Sequence, residues 1–252
     1  MRTLVFESDD LKITATFGNS EISVVSFAGI SFGLVDTGEF NKTLSQIDCD
    51  IYHVFDKKRK WYNGLHERLI SDLLNKEIER RGSKAVFTLG NSMGGTGAII
   101  FAAELKNCIR AISFCPQSSV HPDIVIFENR WMEYRHAILD WTVPDAIERM
   151  RSTREYIIFF GANDARDLNH ADRFIRLAPN TVKVCTIPGC GHDVASYLKR
   201  SGMLAKVVRS LTEPNSSISL IMDIAPAQGA AISLNTNAGA VLKLTFLINF
   251  TE

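Results

Sequence analysis

The chain has 252 residues, of which 46% are hydrophobic, and its 28 basic and 28 acidic residues balance to a formal net charge of zero. This length and composition favour one large α/β domain with a well-filled core over two small domains. The charge balance excludes a broad electrostatic attraction to nucleic acid or to an anionic membrane surface.

Targeting and redox signals are weak in this sequence. The first ten residues reach acidic side chains too early to hold the apolar core of a secretory signal, and no apolar run is long enough to span a bilayer. Cysteines occur at positions 49, 108, 115, 185 and 190, without the paired short spacings of a zinc site or a redox dithiol. We therefore predict a cytoplasmic protein with reduced thiols and with no metal, cofactor or membrane partner.

The first half of the chain changes from consecutive strands to alternating strands and helices. Consecutive strands are predicted at residues 2–6, 12–17 and 23–27. They are followed by a strand at 51–55, a helix at 65–81 that Gly82 caps, and a strand at 84–89. This alternation is typical of βαβ crossovers, so we predict an α/β fold with a mostly parallel sheet and helices on both faces.

The second half continues the alternation around one irregular stretch. Helices are predicted at 93–105, 144–151, 169–177 and 194–211, and strands at 109–115, 155–160 and 182–187. Residues 117–142 show no clean period, and a bare loop of this length is unusual in a compact domain. We therefore predict that residues 117–150 form a short lid insertion over a pocket.

The C-terminal tail, residues 213–252, has almost no charge and differs in composition from residues 1–212. Its three β-like runs at 218–224, 230–234 and 241–250 predict a β-rich extension outside the main domain. Apolar strands need a partner, which is either the edge of the sheet or another chain. A homo-oligomer formed through this extension is therefore a hypothesis.

One motif stands out between the strand at 84–89 and the helix that follows it. Ser92 lies in the string Gly-Asn-Ser-Met-Gly, with Gly90 and Gly94 two residues away on either side. A serine on such a sharp strand-to-helix turn has a strained backbone, and the glycines remove Cβ atoms that would collide. Strain of about 1–3 kcal/mol usually persists where function requires it, so Ser92 is a candidate nucleophile.

A serine nucleophile needs an imidazole base that a carboxylate orients. Ligands of parallel sheets bind beyond the carboxyl ends of the strands, so the partners should directly follow strands. Asp164 and His192 meet this condition. Asp167, if the turn is longer, and Asp123, after the strand at 109–115, are two further candidates for the acid.

Three other histidines compete with His192 for the role of base. His170 falls inside a predicted helix, where a surface position is expected, and His121 and His136 fall in the insertion. Because none of the three directly follows a predicted strand, His192 is the preferred base.

The order serine, acid, histidine, together with the Gly-x-Ser-x-Gly turn, resembles the α/β-hydrolase superfamily over residues 1–212. Gly161-x-x-Asp164 is similar to the acid turn of that family, and Gly191-His192 to its histidine loop. The resemblance implies an α/β-hydrolase fold and a serine hydrolase that cleaves carboxylic esters through an acyl-enzyme, with Asp164 orienting His192. An O-acyltransferase that acts on a glycan or protein, or a catalytically silent binding module, would share the fold.

Acyl transfer also requires backbone N–H groups that stabilise the oxyanion. Met93 supplies one by its position after the nucleophile. The second is expected from the loop after the third strand, at Ala28, Gly29 or Ile30, although this loop lacks the several glycines common in the family.

The remaining candidates concern the substrate. Gln117 follows the strand at 109–115, and Trp131 and Trp141 lie in the insertion, so we predict that these three line the pocket. Residues 56–63 combine a basic run with aromatic residues and are expected to form a solvated loop. This segment weakly resembles one in α/β-hydrolase-like proteins linked to surface glycans and accessory secretion, which makes an acyl group on a sugar or protein a substrate to test. The expected substrate is a small-molecule or glycan acyl ester.

Overall fold

The computed structural model describes residues 2–32, 38–64, 66–216, 232–235 and 241–244. In these residues the strands form one sheet, in the order β1-β2-β4-β3-β5-β6-β7-β8-β9-β10. The strands are β1 (Thr3–Glu7), β2 (Leu11–Thr16), β3 (Ile22–Phe27), β4 (Asp50–Asp56), β5 (Ala85–Asn91), β6 (Cys108–Phe114), β7 (Glu155–Gly161), β8 (Val182–Ile187), β9 (Ile232–Asn235) and β10 (Val241–Leu244). The central strands β4, β3, β5, β6, β7 and β8 run parallel, and the outer strands on both sides pair antiparallel.

Helices fill the crossovers between these strands. They are α1 (Asn41–Leu44), α2 (His66–Arg81), α3 (Met93–Ala102), α4 (Met132–His136), α5 (Ala165–Leu177), α6 (Val194–Arg200) and α7 (Leu204–Leu211). The long final helix predicted at 194–211 is wrong, because Gly202, with φ of 71°, separates α6 from α7. Helix α5 begins at Ala165 rather than at residue 169, because the Asp164 carboxylate accepts the backbone N–H groups of Arg166 and Asp167.

The sheet carries a buried apolar cluster on each face, and this explains why its central strands are apolar almost throughout. On one face, Leu74 of α2 and Phe174 of α5 pack with strand residues such as Phe27. On the other face, Leu44 of α1 and Val208 of α7 pack against the sheet. Helices therefore cover both faces, as predicted.

The insertion follows β6 and precedes β7. It contains α4 and a 3-10 turn at Ala146–Arg149. Several of its side chains are buried, among them Val125, Glu128 and Arg135. The segment therefore packs closely against the rest of the domain.

The described part of the C-terminal tail extends the sheet, since β9 pairs antiparallel with β8 and β10 with β9. The edge of the sheet is thus a partner for these two strands. The predicted strand at 218–224 and the ends of the other two lie outside the described residues. Association of two chains through the tail remains a prediction.

Among the described helices, none has both the length and the apolar character that crossing a membrane requires.

Candidate active site

The turn between β5 and α3 has the strained geometry that the sequence predicts. Ser92 has φ of 54° and ψ of −122°, and it is almost completely buried. A Cβ atom on Gly90 would lie 2.0 Å from the carbonyl oxygen of Gly94, and a Cβ on Gly94 would lie 2.1 Å from that of Phe27. Both positions therefore require glycine, and the turn presents the Ser92 hydroxyl at the carboxyl edge of the sheet.

The Ser92 hydroxyl is joined to a histidine and an aspartate from two other strand ends. Its Oγ lies 2.9 Å from Nε2 of His192, and Nδ1 of His192 lies 2.9 Å from both carboxylate oxygens of Asp167. With the proton of a neutral imidazole on Nδ1, Nδ1 donates to Asp167 and Nε2 accepts from the serine hydroxyl. We call Ser92, His192 and Asp167 the serine array.

The prediction that Asp164 orients His192 is wrong. The Asp164 carboxylate caps α5 and also pairs with Arg166 at 3.1 Å. Asp167 lies one helical turn later, inside the first turn of α5, and its side chain is fully buried beside the imidazole. The Asp-x-x-Asp spacing in the sequence favours the second aspartate as the acid, because the first uses its carboxylate to cap the helix.

Among the described hydrogen bonds of the Ser92 hydroxyl, none involves Asp123 or the histidines that compete with His192. Asp123 is highly exposed and lies beside His121, 4.0 Å from its Nδ1. His136 is exposed on α4. His170 is fully buried, contrary to the expected surface position, and bonds to Ser118 and Glu128.

Several solved structures resemble this protein, whereas neither a protein-family model nor a curated protein matches the sequence. The capsule O-acetyltransferase of Neisseria meningitidis serogroup A is 17% identical with a TM-score of 0.57, covering 80% of this chain and 93% of that chain. Est1E from Butyrivibrio proteoclasticus is 15% identical with a TM-score of 0.57, covering 84% of this chain and 99% of that one. The esterase domain of a Rhodothermus marinus protein is 10% identical with a TM-score of 0.53, covering 81% and 95%. This protein has the α/β-hydrolase fold.

In this α/β-hydrolase fold, the loop after β3 runs beside the serine turn, since a Cβ on Gly29 would lie 3.0 Å from the carbonyl oxygen of Asn91. The N–H of Ala28 donates to the carbonyl oxygen of Val54, and the N–H of Gly29 donates to a side-chain oxygen of Glu39. Gly29, one of the predicted oxyanion donors, is therefore already engaged. Ile30 opens a 3-10 turn, so its N–H has no acceptor within that turn.

Met93, the other predicted donor, is the first residue of α3. Its N–H therefore lacks an acceptor within the helix. The positive end of the helix dipole also lies at this position. Both features suit an oxygen that develops negative charge.

Two of the three predicted pocket residues lie next to the serine array of the α/β-hydrolase domain. Gln117 is fully buried, with Nε2 3.5 Å from the Ser92 hydroxyl. The Trp131 ring lies 5.2 Å from the His192 ring. Trp141 instead packs edge-on against His121, at 4.7 Å, and none of its described ring contacts joins it to the array.

The segment after β4 supports the site and is not a solvated loop, so that expectation is wrong for its aromatic residues. Trp61 and Tyr62 are buried, with φ of 52° and 61°. Asp56 fixes the turn by accepting three backbone N–H groups, from Lys58, Lys60 and Tyr62.

Both aromatic side chains of this segment reach toward the site. The Trp61 Nε1–H donates to Gln117 Oε1 at 2.8 Å. The Tyr62 hydroxyl donates to Ala28 O at 2.9 Å, and its ring fits because Gly97 has no Cβ, which would lie 2.5 Å from it. In the sequence, lysines and an arginine precede these two aromatic residues, so the segment resembles a solvent-exposed loop.

Cys115 completes the surroundings of the array. Its Sγ, a carboxylate oxygen of Asp167 and a ring nitrogen of His192 lie within 4.8 Å of one another, which is the spacing of a metal site. Asp167 and His192, however, already bond to each other through those groups. Burial raises the pKa of the Cys115 thiol well above its usual range, so the thiol stays protonated.

A cavity of about 620 Å³ lies between α1 and the α6–α7 pair of the α/β-hydrolase domain. Its lining includes Glu39, Phe40, Ser196 and Leu204. Glu39 connects this cavity to the loop after β3 through its bond to Gly29.

Proposed function

We propose that the protein is a serine hydrolase that cleaves carboxylic esters through an acyl-enzyme, with Ser92, His192 and Asp167 as the catalytic triad. One observation carries the proposal. The hydroxyl of a strained serine lies 2.9 Å from an imidazole nitrogen, and a buried carboxylate bonds to the other nitrogen of the same ring. This arrangement activates a hydroxyl that is otherwise a poor nucleophile.

In the proposed first step, the Ser92 oxygen attacks the ester carbonyl while His192 Nε2 takes the hydroxyl proton. The carbonyl oxygen becomes an oxyanion, which the N–H groups of Met93 and Ile30 stabilise. Collapse of the intermediate breaks the bond to the alkoxy oxygen, and His192 gives its proton to the departing alcohol. Asp167 holds the imidazole in the required tautomer throughout.

In the second half, an acceptor hydroxyl gives its proton to His192 and attacks the acyl carbonyl carbon. Collapse of this intermediate breaks the bond to the Ser92 oxygen, which takes the proton back from His192. Water as the acceptor yields a free acid, and a sugar or protein hydroxyl yields a new ester. The similar capsule O-acetyltransferase favours O-acyl transfer to a glycan as the second candidate. A silent binding module needs none of these contacts, so the intact array speaks against it.

The decisive experiment measures turnover of p-nitrophenyl esters from acetyl to octanoyl, with water alone and with added sugar acceptors. We expect release of p-nitrophenol by the wild type and loss of that activity in Ser92→Ala, with an unchanged circular dichroism spectrum. A fluorophosphonate probe should label the wild type and not the variant. Failure of both turnover and labelling by folded wild type would favour the binding module. Sugar-dependent ester formation would favour the transferase.

A further inference from the structure

The insertion places an arginine between two buried carboxylates. Arg130 Nη2 lies 2.6 Å from Glu128 Oε2 and 2.9 Å from Asp167 Oδ1, and its Nε donates to both oxygens of Glu128. The side chains of Glu128 and Asp167 are fully buried, and the Arg130 side chain is 12% exposed. One cation therefore bonds to the aspartate of the serine array and to a second acid behind it.

Glu128 is in turn held from the opposite side. His170 Nε2 lies 3.2 Å from Glu128 Oε2, and His170 Nδ1 accepts the backbone N–H of Ser118. Because Nδ1 is an acceptor, the proton of neutral His170 lies on Nε2, and Nε2 donates to Glu128. Burial lowers the pKa of His170 and favours this neutral form.

Ser118, His170 and Glu128 resemble a second serine–histidine–acid set, but the geometry gives them another role. All three are buried, and the Ser118 hydroxyl accepts a hydrogen bond from Arg173 Nε at 3.0 Å. The hydroxyl is therefore closed to substrate. The set anchors Glu128, and through Glu128 it fixes Arg130.

Arg130 is also connected to the imidazole through Trp131. Its guanidinium stacks 4.7 Å from the centre of the Trp131 ring, which lies 5.2 Å from the His192 ring. Arg130 thus bonds to the carboxylate that orients His192 and packs on the ring that flanks His192.

We propose that Arg130 is a positioning residue that fixes Asp167 and sets the pH at which His192 can act as a base. This inference rests on the proposed function. A positive charge bonded to Asp167 reduces the electrostatic stabilisation that the carboxylate gives to a protonated imidazole. Arg130 therefore lets His192 stay unprotonated, and act as a base, at lower pH. In the described part of the chain, Cys115, Cys190 and His170 also interact electrostatically with Asp167, and Arg130 links Asp167 to the carboxylates of Glu128 and Asp164.

The test compares Arg130→Gln with the wild type in kcat/KM against pH for a p-nitrophenyl ester. We expect the midpoint of the acid limb to rise by about one pH unit in Arg130→Gln, and Arg130→Lys to return most of the way to wild type. Arg166→Gln is the matched control, because Arg166 pairs with Asp164 and is 39% exposed. Its midpoint should stay at the wild-type value. An unchanged midpoint in folded Arg130→Gln would overturn the proposal.

Removing Arg130 alone leaves Glu128 buried without its strongest partner, which puts the folding of that variant at risk. The double variant Glu128→Gln/Arg130→Gln removes both charges together, so it leaves no unpaired carboxylate buried at position 128 and the role of Arg130 can still be tested. NMR titration of the His192 ring compares this variant with Glu128→Gln, which lacks the same carboxylate but keeps Arg130, and gives a reading that needs no turnover. A rise in the His192 midpoint supports the role of Arg130 even if no ester is cleaved, in which case the proposed function alone fails. Equal midpoints overturn the role of Arg130 even if esters are cleaved.

Discussion

Both carboxylate oxygens of Asp167 lie 2.9 Å from Nδ1 of His192, whereas Asp164, three residues earlier, uses its carboxylate to cap α5. The two aspartates begin the same helix and differ in what surrounds them. Asp164 contacts backbone N–H groups, Arg166 and Arg130, whereas Asp167 contacts the imidazole and Arg130. This difference separates a structural acid from a candidate catalytic one.

Asp167→Asn should lower kcat by about 10³–10⁴-fold, because an amide cannot hold the imidazole in the required tautomer. Asp164→Asn should stay within a few-fold of wild type, because asparagine also caps helices well. Steady-state kinetics on one ester compares the two variants. Equal losses would contradict the assignment of Asp167.

Gly161→Ala should destabilise the fold by about 1–3 kcal/mol, because the added Cβ would lie 2.1 Å from the carbonyl oxygen of Gly191. Gly191→Ala is the control, since its nearest contact would be 3.7 Å, to Asp164 Cβ. Urea denaturation followed by tryptophan fluorescence measures both. A loss in Gly191→Ala as large as that in Gly161→Ala would show that the close approach at Gly161 is not the cause.

Trp61→Phe should cost about 1–3 kcal/mol, because it leaves Gln117 Oε1 buried without its donor. Turnover should also fall, since Gln117 Nε2 lies beside the Ser92 hydroxyl. Trp141→Phe serves for comparison, as the Trp141 ring contacts His121 away from the array. Chemical denaturation and ester kinetics on both variants test this, and matching effects would argue against a specific role of the Trp61 indole N–H.

Glu39 should make the folded state less stable as pH rises. Burial raises the pKa of Glu39 from 4.5 to about 8. Between these two values the folded state holds a proton that the unfolded state has lost, so the free energy of unfolding falls as pH rises through this window and levels off above about pH 8.

Glu39→Gln removes this titration and should therefore gain stability relative to wild type as pH rises from 4.5 to about 8. Denaturant midpoints across that range, measured on both proteins, provide the check. Parallel curves for the two proteins would mean that Glu39 does not titrate in this window.

The sequence predicted those features that local rules control. Apolar runs and helical spacing located the central strands and α2, and the two glycines around Ser92 indicated a strained turn because no other residue fits there. The order of the strand ends brought Ser92 and His192 to one edge of the sheet, since parallel strands end on the same side.

Only the tertiary structure decided which acid bonds to His192. Asp164 and Asp167 both follow β7 and lie about one helical turn apart, so the sequence does not specify which side chain points toward the imidazole. The tertiary structure also buried Trp61 and Tyr62, which belong to a basic segment, and joined Glu128, Arg130 and Asp167 in one chain of charges. The bond between Arg130 and Asp167 links residues far apart in sequence, and the energies of all these contacts depend on burial and on distances of a few ångströms, which residue type and spacing do not specify.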